Sequence, residues 1–399
     1  MARAHHNINI SRSSSQNLVP VFAVTLFLIF HTFVVAYMNS SFLEQFISTT
    51  AVGTIYTIGS ALTVLIFLFI SKVLHKVGNY NMTLSMLILD MLAVVGMAYT
   101  TELRTAVPLF LIHIISVSLI IFNLDVFMEE KIGNNETTTG SKRGLLLTLS
   151  SLIGAVTPLI SSLLINNSDD GFTNAYLLSA ATLVPIIVIL IIYFRNFSDP
   201  EYTEIDLFSA IRTFWRKVSV RYVFLANFSL QVFFVLMVVY TPLYLTHEMG
   251  FTWTQFGLIM LFAQSAYVFF EYPIGIIADK YIGEKEMMGM GFLIITISTS
   301  WMAFFTMPSL IIWSIIMFIT RVGASLVEVT TESYFFKQTK SSDAQIISFF
   351  RLTRPLAYVV GALIASLTLL YLPFNLLFIV FALLMIPAMF CSVNIVDTK

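Results

Sequence analysis

The chain has 399 residues and a formal net charge of −1, and 58% of its residues are hydrophobic while only 11% are charged. This composition excludes an ordinary water-soluble protein, because soluble domains carry about 25% charged residues. It indicates an all-α polytopic membrane protein, in which the positions of charges matter more than their sum. The single cysteine, Cys391, excludes an intramolecular disulfide and a cluster of thiolate metal ligands.

Twelve apolar stretches are long enough to cross a membrane as helices. The first follows Arg3 and Arg12, and we expect it to be retained because no cleavage site of small residues follows it. A polar interval separates the first six stretches from the second six. The stretches are 18–38, 46–70, 81–99, 106–128, 144–165, 173–194, 222–245, 254–278, 287–307, 309–330, 349–372 and 374–393.

The distribution of Lys and Arg predicts the orientation of these spans. With both termini in the cytoplasm, all of the 21 Lys and Arg residues except Arg104 and Arg321 lie on the cytoplasmic side. An odd number of spans would mix basic residues between the two sides. We therefore expect a multi-pass protein with both termini cytoplasmic, acting as a monomer in a bacterial plasma membrane.

The polar interval at 195–221 is the predicted joint between a first half at 1–194 and a second half at 222–399. The residues from Thr203 to Asp206 fit a capping box, which marks the beginning of a helix. Apolar residues then recur at helical spacing opposite basic residues. This pattern predicts an amphipathic helix on the cytoplasmic membrane surface. We favour a connector that covers its own apolar face, and a regulatory element is the alternative.

An acidic pattern near the ends of the fourth and tenth helices indicates that the two halves are related. In each helix two acids lie four residues apart on one face, and a helix with basic residues near its beginning follows. This repetition is what two parallel six-helix repeats produce. The acids are Asp125 and Glu129 in the first half and Glu328 and Glu332 in the second, and the basic residues include Arg143, Arg351 and Arg354.

The loop after the eighth helix carries a recognisable motif. It contains Gly275, Asp279, Lys280 and Gly283 in the order Gly-x-x-Ala-Asp-Lys-Tyr-x-Gly. This motif resembles the loop signature of the major facilitator superfamily, whose transporters consist of two six-helix halves. It has one residue more than that signature, Ile282, before the second glycine.

The resemblance implies a cytoplasmic gate. We assign to it the motif residues and the acidic and basic residues at the neighbouring helix ends, namely Gly275, Asp279, Lys280, Gly283, Asp125, Glu129, Arg143, Glu332, Arg351 and Arg354. It implies that Asp279 meets the beginning of the fifth helix near Arg143, while Lys280 approaches Glu332. The equivalent loop of the first half has His75 where the signature has Asp. We regard Glu284, Lys285 and Glu286 as a solvated cluster.

Placing an ionisable residue at membrane depth is unfavourable in free energy, so each such residue is expected to have a partner or an aqueous cavity. Arg321 is central on the tenth helix, where the resemblance implies a face toward the central cavity. We predict a substrate and coupling site there, in which Arg321 contacts both Glu271 and Glu328, with a purely structural ion pair between Arg321 and Glu271 as the alternative. The residues of this kind are His31, Asp90, His113, Glu271, Arg321 and Glu328.

Two helices carry polar stripes. Gln264, Tyr267 and Glu271 share a face of the eighth helix, and Asn227 and Gln231 share a face of the seventh. We assign Gln264, Asn227 and Gln231 to the substrate site, with hydrogen bonding between helices as an equal alternative. We interpret His31 and His113 as packing residues, and Asp90 needs a partner that the sequence does not identify.

These features predict a secondary active transporter that moves a small solute by alternating access. We expect a proton as the driving ion, because carboxylates and histidines lie at membrane depth. Efflux by an antiporter is the favoured direction, since the aromatic residues and 18 Met give adaptable apolar walls. No phosphate-binding Gly-Lys-Ser/Thr loop is present, so we expect no nucleotide cofactor and no enzyme activity. A receptor on the same fold and a membrane-embedded transferase are the alternatives.

Overall fold

The computed structural model describes residues 18–132, 136–166, 170–200, 202, 212, 216, 218–338, 350 and 352–395, without the side chains of 129–132, 136–145, 279, 336 and 338. Twelve helices within these residues are long and apolar enough to cross a membrane. The predicted all-α membrane fold is confirmed. The predicted amphipathic helix falls largely outside the described residues.

The helices follow the predicted apolar stretches closely, because length and hydropathy suffice to define a membrane span. They are α1 Val19–Ala36 with a short extension Asn39–Glu44, α2 Thr49–Val77, α3 Asn79–Tyr99, α4 Leu103–Ile132, α5 Glu136–Asn166, α6 Gly171–Tyr193, α7 Val218–Glu248, α8 Trp253–Lys280, α9 Glu284–Phe304, α10 Leu310–Gln338, α11 Thr353–Tyr371 and α12 Phe374–Val393.

The packing of the first six helices repeats in the second six. In the first half α1 packs against α5 and α6, and α3 packs against α4 and α6. In the second half α7 packs against α11 and α12, and α9 packs against α10 and α12. The two halves meet through α2 with α11 and through α5 with α8. The two pairs are equivalent, because α8 lies six helices after α2 and α11 lies six helices after α5, as parallel repeats require.

We call the side of the bundle that carries the interval between α6 and α7 the connector side, and the opposite side the distal side. One hydrophobic core extends from the distal ends of the first half into the second half. The connector side of the first half has a separate core around Leu124, Phe127 and Leu190. The two halves are therefore packed together most closely on the distal side.

The seventh helix is irregular near its distal end. Two π-helical segments, Leu236–Tyr240 and Tyr244–Glu248, flank a short α-helical piece at Thr241–Leu243. Pro242 lies between them and lacks a backbone N–H, so regular helical bonding is interrupted there. π-Helical turns are rare in proteins, but those that occur are often found at functional sites.

A glycine with positive φ connects α2 to α3, and another connects α8 to α9. Gly78 has φ 80° and ψ 154°, and Gly283 has φ 103° and ψ 153°. Each is the residue before the first turn of the following helix. A residue with a side chain is strained in this region, so glycine is required at both turns. The two loops thus share their backbone geometry although their side chains differ.

Replacement of Gly283 by Ala should destabilise the protein by about 1 to 3 kcal/mol, the usual cost of such a backbone conformation for a residue with a side chain. The control is Gly275→Ala, because a Cβ atom there would meet Val329 at an ordinary distance of 3.9 Å. Thermal unfolding of the two variants in detergent checks the prediction. Equal melting temperatures would show that the loop relaxes without cost.

Candidate functional site

Arg321 lies in the middle of α10 and is buried, with 1% of its surface exposed. Its guanidinium carbon lies 5.9 Å from the centre of the Phe233 ring on α7. Neither Nε nor Nη1 has a hydrogen-bond partner among the residues that the structure describes. Unpaired donors on a buried cation are costly, so a partner for them outside the described chain is expected.

A hydrogen bond between the two halves lies beside this arginine. The Nε2 atom of Gln264 on α8 donates to the Tyr37 hydroxyl at the end of α1, at 2.7 Å. The Tyr37 hydroxyl is also an electrostatic neighbour of Arg321. The Oε1 atom of Gln264 is buried and has no partner within the described part of the chain. The centre of the bundle thus presents unpaired donors on Arg321 and an unpaired acceptor on Gln264.

Glu271 lies on the same face of α8, nearer the connector side. Its Oε2 atom accepts a hydrogen bond of 2.9 Å from the hydroxyl of Ser151 on α5. This contact joins the second half to the first. Protonation and deprotonation of Glu271 would therefore act directly on the seam between α5 and α8.

Glu328 is half-buried on α10, and its electrostatic neighbours include Glu271, Glu332, Arg354 and Arg321. Within the described residues, neither Glu271 nor Glu328 forms an ion pair within 4.0 Å of Arg321. Seven residues separate Arg321 from Glu328, which corresponds to about 10 Å along the helix. The predicted contacts of Arg321 with Glu271 and Glu328 are not formed in this conformation among the described residues.

The polar stripe of α7 is divided between two environments. Asn227 is buried, and its amide donates to the hydroxyl of Thr353 on α11 at 3.0 Å. This bond holds two helices of the second half together, which was the alternative interpretation of the residue. Gln231 is half-buried one turn further along.

The predicted gate is only partly described. The side chains of Asp279, Glu129 and Arg143, and the whole of Arg351, lie outside the described part of the structure. Lys280 is exposed at the end of α8 and forms no ion pair with Glu332, which is half-buried. Of the remaining residues assigned to the gate, Gly275 and Asp125 are half-buried and Arg354 is exposed.

The interpretation of Glu284 as a solvated residue is wrong. Its side chain is 1% exposed and lies under the end of α10, where it accepts a 3.2 Å hydrogen bond from Ser333 and pairs with Lys337. A carboxylate in the first turn of a helix is also favoured by the helix dipole. Glu284 therefore anchors the beginning of α9 to α10.

The first-half loop obtains a carboxylate from another part of the chain. Asp199, which follows α6, accepts a 2.8 Å hydrogen bond from the backbone N–H of Asn79 at the beginning of α3. The Tyr202 hydroxyl donates to Asp199 at 2.5 Å, and the Tyr202 carbonyl contacts His75 at 2.6 Å. Burial and the neighbouring Asp199 raise the pKa of the Tyr202 phenol, which stays neutral. Asp199 therefore caps the beginning of α3 in the loop where His75 stands at the position of the signature Asp.

Two glycines bring the halves into close contact on the distal side, and sequence analysis did not identify them. A Cβ atom on Gly53 of α2 would lie 2.2 Å from the Ser366 hydroxyl of α11. A Cβ atom on Gly257 of α8 would lie 1.9 Å from the Ser162 hydroxyl of α5. Each glycine is the fifth residue of its helix, so the two contacts are related by the repeat.

A charged contact closes the same side. Glu44, at the end of the extension of α1, pairs with His247 of α7 and accepts a hydrogen bond from Thr49. Ser366 of α11 donates to the carbonyl of Thr50 on α2 at 2.9 Å. The contacts of Glu44 with His247 and of Ser366 with Thr50 cross between the halves. The structure is therefore a conformation in which the distal side is closed.

Asp90 has the partners that the sequence did not identify. Its Oδ2 atom lies 3.0 Å from His31 Nε2 on α1, and its Oδ1 atom lies 2.7 Å from His113 Nδ1 on α4. All three side chains are buried inside the first half. The two histidines therefore pack as predicted, but they do so as hydrogen-bond partners of one carboxyl group.

A family model matches this chain. The family model of the Major Facilitator Superfamily matches residues 140–331 and 223–396, which together cover more than half of the chain. None of the curated proteins that were searched matches the chain significantly.

Several solved transporters have the same fold. A POT family transporter in complex with 5-aminolevulinic acid has a TM-score of 0.74 at 14% identity, and 94% of each chain is covered. The nucleoside transporter NupG has a TM-score of 0.70 at 10% identity, covering 95% of this chain and 100% of the other. At such identities the likeness shows the fold alone. Together with the family match to residues 140–331 and 223–396, it identifies the chain as a member of the major facilitator superfamily, and thus as a secondary transporter.

Proposed function

We propose that this transporter moves a small amphipathic solute with an anionic or strongly accepting group, and that transport is coupled to protons. The observation that supports the solute class is the pair of unpaired donors on Arg321. A guanidinium group binds a carboxylate through two parallel hydrogen bonds, which fits donors that lack a partner. Gln264 offers an acceptor beside them, and Phe233 supplies an apolar wall.

The carboxylates Glu271 and Glu328 are the proposed proton carriers. Both lie toward the connector side of Arg321 on neighbouring helices, and each is an electrostatic neighbour of the other. Two carboxylates in a poorly solvated site favour a state in which at least one holds a proton. Glu271 also bonds to Ser151 across the seam between the halves, so a change in its charge would alter a contact that must break for the connector side to open.

The direction that we propose is export, and the orientation that we propose places the connector side in the cytoplasm of a bacterium. One of the similar structures holds 5-aminolevulinic acid, which is a carboxylic acid. That likeness is to the fold alone, so the proposed solute class rests on Arg321 and its surroundings. Thermal-shift screening of the purified protein with panels of carboxylates and neutral analogues would identify a solute, because a bound ligand raises apparent stability.

Glu271→Gln and Glu328→Gln should uncouple transport from the proton gradient, because Gln keeps the shape of the side chain and cannot exchange a proton at neutral pH. In proteoliposomes, both variants should exchange solute at a rate near that of the wild type and lose accumulation driven by a pH gradient. Glu102→Gln is the control, since Glu102 is exposed at the distal end. Normal accumulation by both variants would refute the assignment of these two carboxylates.

A further inference from the structure

The cluster of His31, Asp90 and His113 has no role in the site proposed above. It lies between α1, α3, α4 and α6, and His31 and Asp90 are 0% exposed while His113 is 3% exposed. Three ionisable side chains from three helices thus meet in the interior of the first half. A group of this kind is expensive at membrane depth unless its charges and hydrogen bonds are balanced.

The hydrogen bonds of His31 fix the position of one proton. Its Nδ1 atom lies 3.0 Å from the carbonyl oxygen of Ser179, which only accepts hydrogen bonds. The Nδ1 atom must therefore carry a hydrogen. The Ser179 hydroxyl donates to the His31 carbonyl at 3.1 Å, so its oxygen, 2.8 Å from Nδ1, is a second acceptor for the same hydrogen.

A second proton is then required between His31 and Asp90. The other ring nitrogen of His31, Nε2, lies 3.0 Å from Asp90 Oδ2, and a lone pair on each atom would repel. One proton must lie between them, on the imidazole or on the carboxyl group. His113 donates through Nδ1 to Asp90 Oδ1 at 2.7 Å in either case. With that proton the cluster has no net charge, and without it the cluster carries one buried negative charge.

We propose that His31, Asp90 and His113 form a proton-binding site of the first half, which binds one exchangeable proton between His31 Nε2 and Asp90. Within the described residues, His31 and His113 are the titratable groups that act on Asp90, and α6 contributes the neutral Ser179. No charged side chain of the described parts of α2 or α5 is among the neighbours of Asp90. A divalent metal ion in place of the proton would leave a net positive charge in the same buried volume.

The site is placed to affect the contact between the halves. His31 and Tyr37 are six residues apart on or at the end of α1, which corresponds to about 9 Å. Tyr37 accepts the bond from Gln264 of the second half. Loss of the proton would replace a hydrogen bond between α1 and α3 by repulsion, and so loosen the segment that carries Tyr37. This use in the transport cycle rests on the proposed function, whereas the existence of the proton site does not.

Asp90→Asn tests the site without a transport assay. The Asn amide can donate to His31 Nε2 while its oxygen accepts from His113 Nδ1, so the variant keeps every hydrogen bond of the proton-filled state. The unfolded wild type has an ionised Asp90 and, above about pH 6.5, a neutral His31. The folded wild type therefore holds one more proton than the unfolded chain, and its stability falls as pH rises.

We expect the melting temperature of the wild type to fall between pH 6.5 and pH 9 more steeply than that of Asp90→Asn. The unfolding equilibrium should differ between them by up to about tenfold per pH unit, the effect of one proton. Glu102→Gln, which removes an exposed acid, should keep the slope of the wild type.

Three results would overturn the proposal. A parallel pH dependence of the wild type and Asp90→Asn would show that the cluster does not bind an exchangeable proton, and failure of Asp90→Asn to fold would show that the inferred hydrogen-bond pattern is wrong. Stabilisation of the wild type, but not of Asp90→Asn, by equimolar Zn²⁺ would assign the cluster to a metal ion instead. None of these results depends on Glu271 or Glu328, so the proposed transport function would stand or fall separately.

Discussion

Arg321→Met should weaken solute binding and transport strongly while leaving the folded yield and thermal stability of the protein unchanged or higher. Met keeps the length and apolar stem of the side chain and removes a buried cation whose Nε and Nη1 atoms lack partners. Burying an ion costs several kcal/mol of desolvation, and the variant removes this cost. A charged hydrogen bond to the solute contributes about 1.5 to 3 kcal/mol, so affinity should fall about ten- to hundredfold.

The structural alternative makes the opposite prediction for stability. If Arg321 mainly balances Glu271 or Glu328 in the folded state, its removal leaves an uncompensated acid and costs about 3 to 5 kcal/mol. Arg321→Lys is the matched variant, since it keeps the charge but not the planar pair of donors. Thermal unfolding of the three proteins and solute binding by calorimetry separate the two roles. A large fall in the stability of Arg321→Met would mean that the arginine is part of the scaffold.

Gly53→Ala and Gly257→Ala should open the distal side. Each added Cβ atom would overlap atoms of the other half, including the Ala362 carbonyl at 2.9 Å from position 53. Tilting the halves apart removes the overlap, so the population should shift to a conformation that is open distally. Transport should then fall in both variants, because the closed state becomes unfavourable.

Distances between spin labels report this shift directly. Labels at Glu102 and Met307 would lie on exposed distal positions of the two halves, after Cys391 is replaced by Ser. The distribution should move to longer distances in each glycine variant. Gly361→Ala is the control, because its Cβ atom would meet Val235 at 3.2 Å within the second half. An unchanged distribution in Gly53→Ala and Gly257→Ala would show that the overlap is relieved locally.

The sequence was sufficient for the fold because each membrane span is defined by its own length and hydropathy. The polar stripe of α8 was also predictable, since Gln264 and Glu271 lie on one face of a single helix. Relations between helices were not predictable in this way. Helical periodicity places His31, Asp90 and His113 on faces of three separate helices, but it does not give the distances between those helices.

The misinterpretation of Glu284 has a related cause. An acid that follows a glycine turn among other charged residues has the sequence pattern of a solvated loop, and its burial depends on Lys337 and Ser333 at the end of another helix. Gly53 and Gly257 were missed because their local sequence gives no signal, rather than a misleading one. Glycine is common in membrane helices, so a glycine that permits close approach of another helix has no distinct local signal.

The π-helical segments of α7 act as inserted residues. A π turn bonds residue i to residue i+5, so each segment contains one residue more than an α-helical path through the same turn needs. Deleting one residue within Leu236–Tyr240 should therefore restore α-helical bonding while the residues that follow, including His247, stay on the same faces of the helix. Deleting one residue from the regular α-helix before it would instead rotate all that follows by about 100° and point His247 away from Glu44. Relatives whose seventh helix is shorter by one residue should therefore lack one of these wide turns and still close the distal side with the side chain at the position of His247.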